Sequence, residues 1–313
     1  MAFDIVFVVI GIALVMWGAS RLTDGAVAIA ARLKVPQLVI GLTVVALGTS
    51  LPEFCVSFVS ALKGTPDLAL GNVIGSNIFN VLLIVGCTAV VTTIPIPKTA
   101  ILKDIPFAVI ASAVLVIMVA HGNVSRLDAM VLFLLFLLYM YMTLRGASGS
   151  DDGQPAAADL SPLRSVVYVL LGLFGLIVGS DVFVDGATSL AQRFHVSDAV
   201  IGLTVVAGGT SLPELATSIV AAKKGNAGIS IGNVIGSNVF NILMILGITG
   251  LICPMQVSGI TSVDLSLLLG SIILLWMFSF FKSKIERWQG IVFLMIFLAY
   301  MTYLLMNITS TSV

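Results

Sequence analysis

Residues 41–53 read Gly-Leu-Thr-Val-Val-Ala-Leu-Gly-Thr-Ser-Leu-Pro-Glu, and residues 202–214 read Gly-Leu-Thr-Val-Val-Ala-Gly-Gly-Thr-Ser-Leu-Pro-Glu. The similarity continues without a gap to residues 86 and 247, and 29 of the 46 aligned pairs are identical, each 161 positions apart. Glu53 and Glu214 are therefore one chemical feature that is present twice. Apolar segments that repeat and are interrupted by Gly and Pro are typical of the binding site of a membrane transporter.

The composition of the chain excludes an ordinary soluble domain. The hydrophobic fraction is 59%, the charged fraction is 10% and the mean hydropathy is +1.16, whereas soluble domains have about 25% charged residues. A membrane-spanning helix needs about 20 mostly apolar residues. The sequence predicts an all-α polytopic membrane protein with ten such helices, at residues 3–22, 37–62, 69–92, 102–120, 127–145, 164–184, 198–222, 229–252, 262–281 and 288–307.

A stretch rich in small and acidic residues, 146–162, is the one clear linker in the sequence. It separates a first five-helix repeat, residues 1–145, from a second, residues 163–313. Because five is odd, the second repeat must enter the membrane from the opposite side. The sequence thus predicts two repeats of inverted topology.

The distribution of positive charge predicts the orientation of the chain. Of the 15 Lys and Arg residues, only Lys63, Arg126 and Arg193 fall on the side opposite to the linker. We therefore expect an integral multi-pass protein with a cytoplasmic linker and both termini outside. The formal net charge of zero and the lack of a soluble domain indicate the lipid bilayer as the surroundings, no nucleic-acid partner and no obligatory protein partner.

Glu53 and Glu214 lie well inside predicted helices 2 and 7. A carboxylate in hydrocarbon costs about 2.5–3.5 kcal/mol even on the mildest insertion scale, and no Lys or Arg lies at a comparable depth. A protonated pair or a bound cation could offset this cost. The simpler alternative is two neutral glutamic acids that form hydrogen bonds between helices.

Proline precedes each of these glutamates and predicts a break in the helix. Pro52 and Pro213 each remove a backbone donor and clash with the carbonyl four residues earlier. We expect the breaks to free backbone carbonyls, namely those of Ala46, Thr49, Ala207 and Thr210. Hard cations such as calcium bind carboxylate and carbonyl oxygens together. The predicted architecture has broken helices 2, 3, 7 and 8.

Helices 3 and 8 carry Gly-Asn-Val-Ile-Gly-Ser-Asn-x-x-Asn at 71–80 and 232–241. Ser and Asn four residues apart share a helical face, which favours ion contact for Ser76, Asn80, Ser237 and Asn241. Small polar residues also allow helices to pack closely, and this is the interpretation for the glycines and for Asn72 and Asn233. Outside this block, we expect Asp24 and Asp185 to cap helices or face solvent and Cys55 to be a packing thiol.

The duplicated Gly-Thr-Ser-Leu-Pro-Glu and Gly-Ser-Asn-x-x-Asn motifs resemble the paired alpha-repeats of the cation/calcium exchanger superfamily, most closely its sodium/calcium exchanger branch. The resemblance implies alternating access, with helices 1 and 6 sliding against the other eight. It also implies a mid-membrane site at which calcium and sodium share Glu53 and Glu214. The further ligands implied by matching positions are Ala46, Thr49, Ser50, Ser76 and Asn80 in the first repeat and Ala207, Thr210, Ser211, Ser237 and Asn241 in the second.

The function predicted from these features is a secondary antiporter that exchanges sodium for calcium, with the two ions as transported ligands and no cofactor. A calcium/proton antiporter, in which the glutamates carry the protons, remains the nearest alternative. A cation channel is less favoured, because channels usually build their filter by symmetry between subunits. An enzyme is not indicated, since the sequence has no His-Glu-x-x-His and no nucleophile–base pair. The short linker leaves no room for the regulatory insert of the animal exchangers, and this compact form suggests a prokaryotic plasma membrane.

Overall fold

The computed structural model of the protein describes residues 2–146, 160–194, 201, 205, 207–257 and 259–311, which are almost entirely helical. The first half contains α1 (Ala2–Leu33), α2 (Gln37–Ile40), α3 (Ala46–Thr49), α4 (Leu51–Leu62), α5 (Pro66–Phe79), α6 (Gly86–Val91), α7 (Ile105–Ala120) and α8 (Arg126–Gly146). The second half contains α9 (Pro162–Arg193), α10 (Ala207–Thr210), α11 (Leu212–Lys223), α12 (Ala227–Val239), α13 (Leu246–Ile252), α14 (Ser262–Ser279) and α15 (Arg287–Thr311). Among the described residues, the π-helical segments with defined bounds are π1 (Gly41–Val45), π2 (Asn80–Val85), π3 (Ala100–Asp104) and π4 (Phe240–Ile245).

The prediction of an all-α, multi-span membrane protein is confirmed. Within the described residues, eight helices are long and apolar enough to cross a membrane, and a bent pair that joins Gln37–Thr49 to Leu51–Leu62 makes up to nine. Each corresponds to one of the predicted segments. The remaining segment, 198–222, lies partly outside the described residues, and its described part forms α10 and α11.

Two details of the predicted helices are wrong. The predicted segments 3–22 and 164–184 end too early, because α1 and α9 each continue for 32 residues, or about 48 Å at 1.5 Å per residue. The third and eighth segments are not broken. Leu68–Val91 and Ala227–Ile252 are each one continuous span, in which π2 and π4 widen the helix without interrupting it, since neither span has a proline inside it.

Helices α1 and α9 pack closely along glycines that recur every seven residues. A methyl group placed on Gly18 would lie 2.7 Å from the backbone nitrogen of Leu176, and one on Gly179 would lie 2.7 Å from the backbone nitrogen of Val15. These contacts are reciprocal, because Gly18 and Gly179 are 161 positions apart and so are Val15 and Leu176. Since the partner residue number falls as the α1 number rises, the two repeat-equivalent helices are antiparallel.

The same reciprocity holds at a second seam of the molecule. Gly86 of α6 packs against Leu294 of α15, and Gly247 of α13 packs against Phe133 of α8. These are equivalent contacts, because Gly86 and Gly247 are 161 positions apart and so are Phe133 and Leu294. The two halves are therefore related to each other by an approximate two-fold rotation.

Outside the spans, two short antiparallel β-ribbons also pair the two halves with each other. Strand β1 (Ile94–Pro95) pairs with β4 (Lys284–Ile285), and β2 (Asn123–Val124) pairs with β3 (Met255–Gln256). Each ribbon joins a connection of the first half to a connection of the second half. The repeats are thus held together at both ends of the helices as well as along them.

The third and eighth segments form the centre of the molecule. The most apolar stretches of Leu68–Val91 and Ala227–Ile252 are each 78% buried, whereas the same measure is between 22% and 39% for the other long spans in the described residues. The repeated polar motifs of these two segments are thus enclosed by protein, and the outer helices present large apolar side chains to the surroundings.

Candidate ion-binding site

Glu53 and Glu214 stand at equivalent places, in the first turns of α4 and α11, and each is only 1% exposed. The two carboxyl groups are close enough to interact electrostatically. The Ser50 hydroxyl donates a hydrogen bond of 3.0 Å to Glu214 Oε1, so that a residue of one repeat contacts the acid of the other. The structure therefore brings both predicted acids to one place between the repeats.

The predicted break before each glutamate is present. Ser50 separates α3 from α4 and has φ −84° and ψ 8°, and Ser211 separates α10 from α11 with φ −89° and ψ 1°. The helix axis turns by 49° at the first break. The break follows from Pro52 and Pro213, which stand at the first turn of the new helix, where a missing N–H costs nothing.

The prediction that these breaks free the carbonyl of Ala46 is wrong. Its oxygen accepts the backbone N–H of Ser50 at 3.0 Å, because the bend begins one residue after α3 has closed its last turn. In the second repeat, Pro213 has no N–H to donate to the carbonyl of Gly209. This carbonyl instead accepts a hydrogen bond from the Ser180 hydroxyl of α9. The side chain of Ala207 lies outside the described residues.

Asn72 and Asn233 connect neighbouring segments in the same way in each half. Asn72 Nδ2 donates to the Glu53 carbonyl at 3.2 Å and to Ser57 Oγ at 3.0 Å. Asn233 Nδ2 donates to the Glu214 carbonyl at 3.2 Å, with Ser218 as its second acceptor at 3.1 Å. These bonds agree with the packing interpretation and also fix the backbone that carries each acid.

Thr49 adds a contact between the two halves. Its hydroxyl donates to Asn233 Oδ1 at 2.9 Å, and its side chain approaches the Glu214 carboxyl as well. Its counterpart Thr210 instead lines a cavity of about 530 Å³ that opens between α4, α9 and α10. The two equivalent threonines therefore have different surroundings.

The polar residues of the third and eighth segments are buried, with Asn80 and Asn241 each 1% exposed. Asn80 Nδ2 donates to Asn238 Oδ1 at 3.0 Å, which again joins one repeat to the other. Ser237 is fully buried and approaches the Glu214 carboxyl, although its hydroxyl has no well-formed hydrogen bond to any of the described residues. Ser76 lines a separate cavity of about 300 Å³.

Many buried polar atoms in this region have no hydrogen-bond partner among the described residues. They are Glu53 Oε2, Glu214 Oε2, Asn77 Oδ1, Asn80 Oδ1, Ser211 Oγ, Ser237 Oγ and both side-chain heteroatoms of Asn241. An unsatisfied buried polar group costs about 1–3 kcal/mol. Carboxylate, hydroxyl and amide oxygens are the ligands that hard cations prefer, so the chemistry of this set fits a cation.

The sequence profile of the family described as sodium/calcium exchanger protein matches residues 3–145 and again residues 164–306. The chain belongs to the sodium/calcium exchanger family. It is a cation transporter and not an enzyme, and the two matched regions correspond to the two halves described above.

Individual proteins are similar to this chain over nearly their whole length. The putative antiporter CaxA of Alkalimonas amylolytica is 34% identical over 96% of this chain and 98% of its own. The sodium/calcium exchanger MaX1 of Methanosarcina acetivorans is 30% identical over the same shares of the two chains. A solved structure of the sodium-calcium exchanger NCX_Mj, soaked with 2.5 mM Na⁺ and 0.1 mM Ca²⁺, superposes with a TM-score of 0.82 at 34% identity and covers 96% of this chain and 98% of that one.

Within this family fold, some residues near the acids were not predicted as site residues. Asn77 and Asn238 are buried beside the predicted set, and Asn238 accepts the bond from Asn80. Their duplication in Gly-Ser-Asn was the available signal, because both copies stand next to the predicted serines. The packing prediction for Cys55 is wrong, since its side chain is exposed and lines the cavity of about 530 Å³.

Proposed function

We propose that this protein exchanges sodium for calcium across the membrane as a secondary active antiporter. The observation that carries the proposal is the pair of buried carboxyl groups, Glu53 and Glu214, whose Oε2 atoms have no hydrogen-bond partner in the described residues. No Lys or Arg there forms an ion pair with either acid. We take a cation as the partner of these oxygens, and calcium has the charge that balances two carboxylates.

The charge of the site explains how the two ions compete. One calcium or two sodium ions neutralise two carboxylates, so loading one cargo displaces the other. The hydroxyl and amide oxygens around the acids complete a coordination shell without adding charge. The proposed ligands are the glutamates together with Ala46, Thr49, Ser50, Ser76, Asn80, Ala207, Thr210, Ser211, Ser237 and Asn241. The Ala46 carbonyl, which already accepts the Ser50 N–H, would bind through its second lone pair.

Alternating access requires a site that opens to one side at a time. The repeats 1–145 and 163–313 are proposed to cross the membrane in opposite senses, as ten helices, with the linker 146–162 in the cytoplasm. The antiparallel contact of α1 with α9 supports this arrangement. We propose that the cavity beside Thr210 is the path from the side opposite to the linker.

The decisive measurement is calcium uptake by purified protein in proteoliposomes loaded with sodium. We expect uptake that follows the sodium gradient and persists when a protonophore removes the pH gradient. Glu53→Gln and Glu214→Gln should each abolish it, because a single remaining carboxylate cannot balance calcium in a buried site.

Glu286→Gln is the matched control. Glu286 lies outside the spans, and a hydrogen bond from Lys284, 2.7 Å away, lowers the pKa of its carboxyl. Replacing this glutamate by glutamine should leave calcium uptake intact. Uptake by Glu53→Gln at the wild-type rate would contradict the proposal. Uptake driven by a pH gradient without sodium would point to calcium/proton exchange.

A further inference from the structure

One set of contacts departs from the two-fold relation between the halves. Helix α1 packs along α11, whereas the equivalent helices α9 and α4 are separated by the cavity of about 530 Å³. The seams between α1 and α9 and around Gly86 and Gly247 are reciprocal. An asymmetry between the halves therefore lies where α1 and α9 meet the helices that carry the two acids.

An ion pair closes the packed side. Lys224 follows directly after α11, and its Nζ lies 2.6 Å from Asp24 Oδ1 and 2.8 Å from Ser20 Oγ on α1. The prediction that Asp24 caps a helix is wrong, because it lies inside the 32-residue α1. Its side chain is partly exposed, as the alternative expected, and it forms this ion pair. The pair therefore ties α1 to the end of the helix that begins beside Glu214.

The repeat places an equivalent lysine and aspartate where α9 faces α4, but these two side chains do not pair. Lys63 is the equivalent of Lys224, and Asp185 is the equivalent of Asp24. Lys63 is exposed directly after α4, and Asp185 is exposed on the cavity wall together with Asp181, which replaces Ser20. Among the described residues none of these three side chains forms a hydrogen bond or an ion pair.

We infer that Lys63 pairs with Asp185 when the cavity closes, and that the Lys224–Asp24 pair opens in the same transition. This inference rests on the proposed alternating access and names the contacts that hold each state. Because Asp181 stands where the packed side has Ser20, Lys63 meets two carboxylates instead of one. Solvated ion pairs of this kind change an equilibrium by up to about fivefold, which suits a transition that must remain reversible.

Cys55 is a built-in reporter of the open cavity. With Cys87→Ser and Cys253→Ser it becomes the single thiol of the chain, and its rate of labelling by a membrane-impermeant thiol reagent measures how often the cavity is open. Lys224→Gln removes the contact that holds this state, so we expect labelling up to about fivefold slower. Lys223→Gln is the matched control, because this adjacent lysine is exposed and has no ion pair in the described chain, and its labelling should be unchanged.

Lys63→Gln tests the other state. It removes the contact that holds the closed cavity, so Cys55 should be labelled faster than in the parent protein. The charge exchange Lys63→Asp with Asp185→Lys should return labelling towards the parent rate. Equal labelling in Lys224→Gln and Lys223→Gln, or slower labelling in Lys63→Gln, would overturn the inference.

Labelling reports access and does not depend on which ion is carried. If the Lys224 and Lys63 variants shift labelling as expected but sodium does not drive calcium uptake, the ion-pair exchange stands and the proposed function fails. If sodium drives calcium uptake but the variants leave labelling unchanged, the proposed function stands and the ion-pair exchange fails.

Discussion

The glycine seam between α1 and α9 gives a quantitative prediction for Gly18→Ala. The added methyl would lie 2.7 Å from the Gly172 carbonyl oxygen and from the Leu176 nitrogen, whereas non-bonded heavy atoms pack best at about 3.5–4.0 Å. Both obstacles are backbone, so the two helices must part by about 0.8 Å at this point. A separation of that size forfeits about a quarter to a half of the dispersion energy of the nearby contacts.

The expected cost follows from two opposing effects. Overpacking of this kind lowers the free energy of unfolding by about 1–3 kcal/mol. Replacing Gly by Ala within a helix raises it by up to about 1 kcal/mol. Gly270→Ala in α14 isolates the second effect, because a methyl there meets none of the described atoms within 4 Å. The free energy of unfolding should therefore differ by about 1–3 kcal/mol between the two variants.

The assay is thermal unfolding of the purified protein in detergent, followed by size-exclusion chromatography. Gly18→Ala should lower the Tm, and Gly179→Ala should lower it by the same amount, because its methyl meets the backbone of α1 at the equivalent place. Gly270→Ala should not lower it. If Gly18→Ala and Gly270→Ala unfold at the same temperature, the seam is not the tight contact described here.

Two further predictions concern ion selectivity and orientation. Both repeats end their motif in an amide, at Asn80 and Asn241, whereas the family resemblance implies an aspartate at the second of these positions in potassium-dependent exchangers. Calcium flux should therefore persist when choline replaces potassium on both sides of the vesicle. A loss of flux would reveal potassium ligands outside the two motifs. A cysteine in place of Ser150, in a chain whose own cysteines are replaced, should resist impermeant thiol reagents in intact cells, and labelling from outside would refute the cytoplasmic linker.

The features of the fold that depend on local chemistry could be predicted from the sequence. Apolar length gave the spans, and Pro52 and Pro213 gave the break at Ser50 and Ser211. The glycines, Asn72 and Asn233 indicated close helix packing, and both asparagines do bond to the neighbouring segment.

The parts that depend on contacts between distant segments could not be predicted in this way. Ser180 satisfies the carbonyl of Gly209, but the equivalent residue in the first repeat is Ala19, so the repeat gives no hint of that bond. The π-helical turn at Asn80 arises without a proline or glycine break in the helix. Thr49 and Thr210 are equivalent in the repeat, but their surroundings differ because different segments pack against them.

The reciprocal seam also bears on how such a chain could arise. A contact that maps onto itself when the halves are exchanged is the self-complementary interface of a two-fold dimer. A half-length ancestor that inserted into the membrane in both directions could form the same glycine seam from two copies, and gene fusion would then need only a linker. Residues 1–145 and 163–313, produced as two separate polypeptides in one cell, therefore already carry the complementary surfaces needed to reassemble.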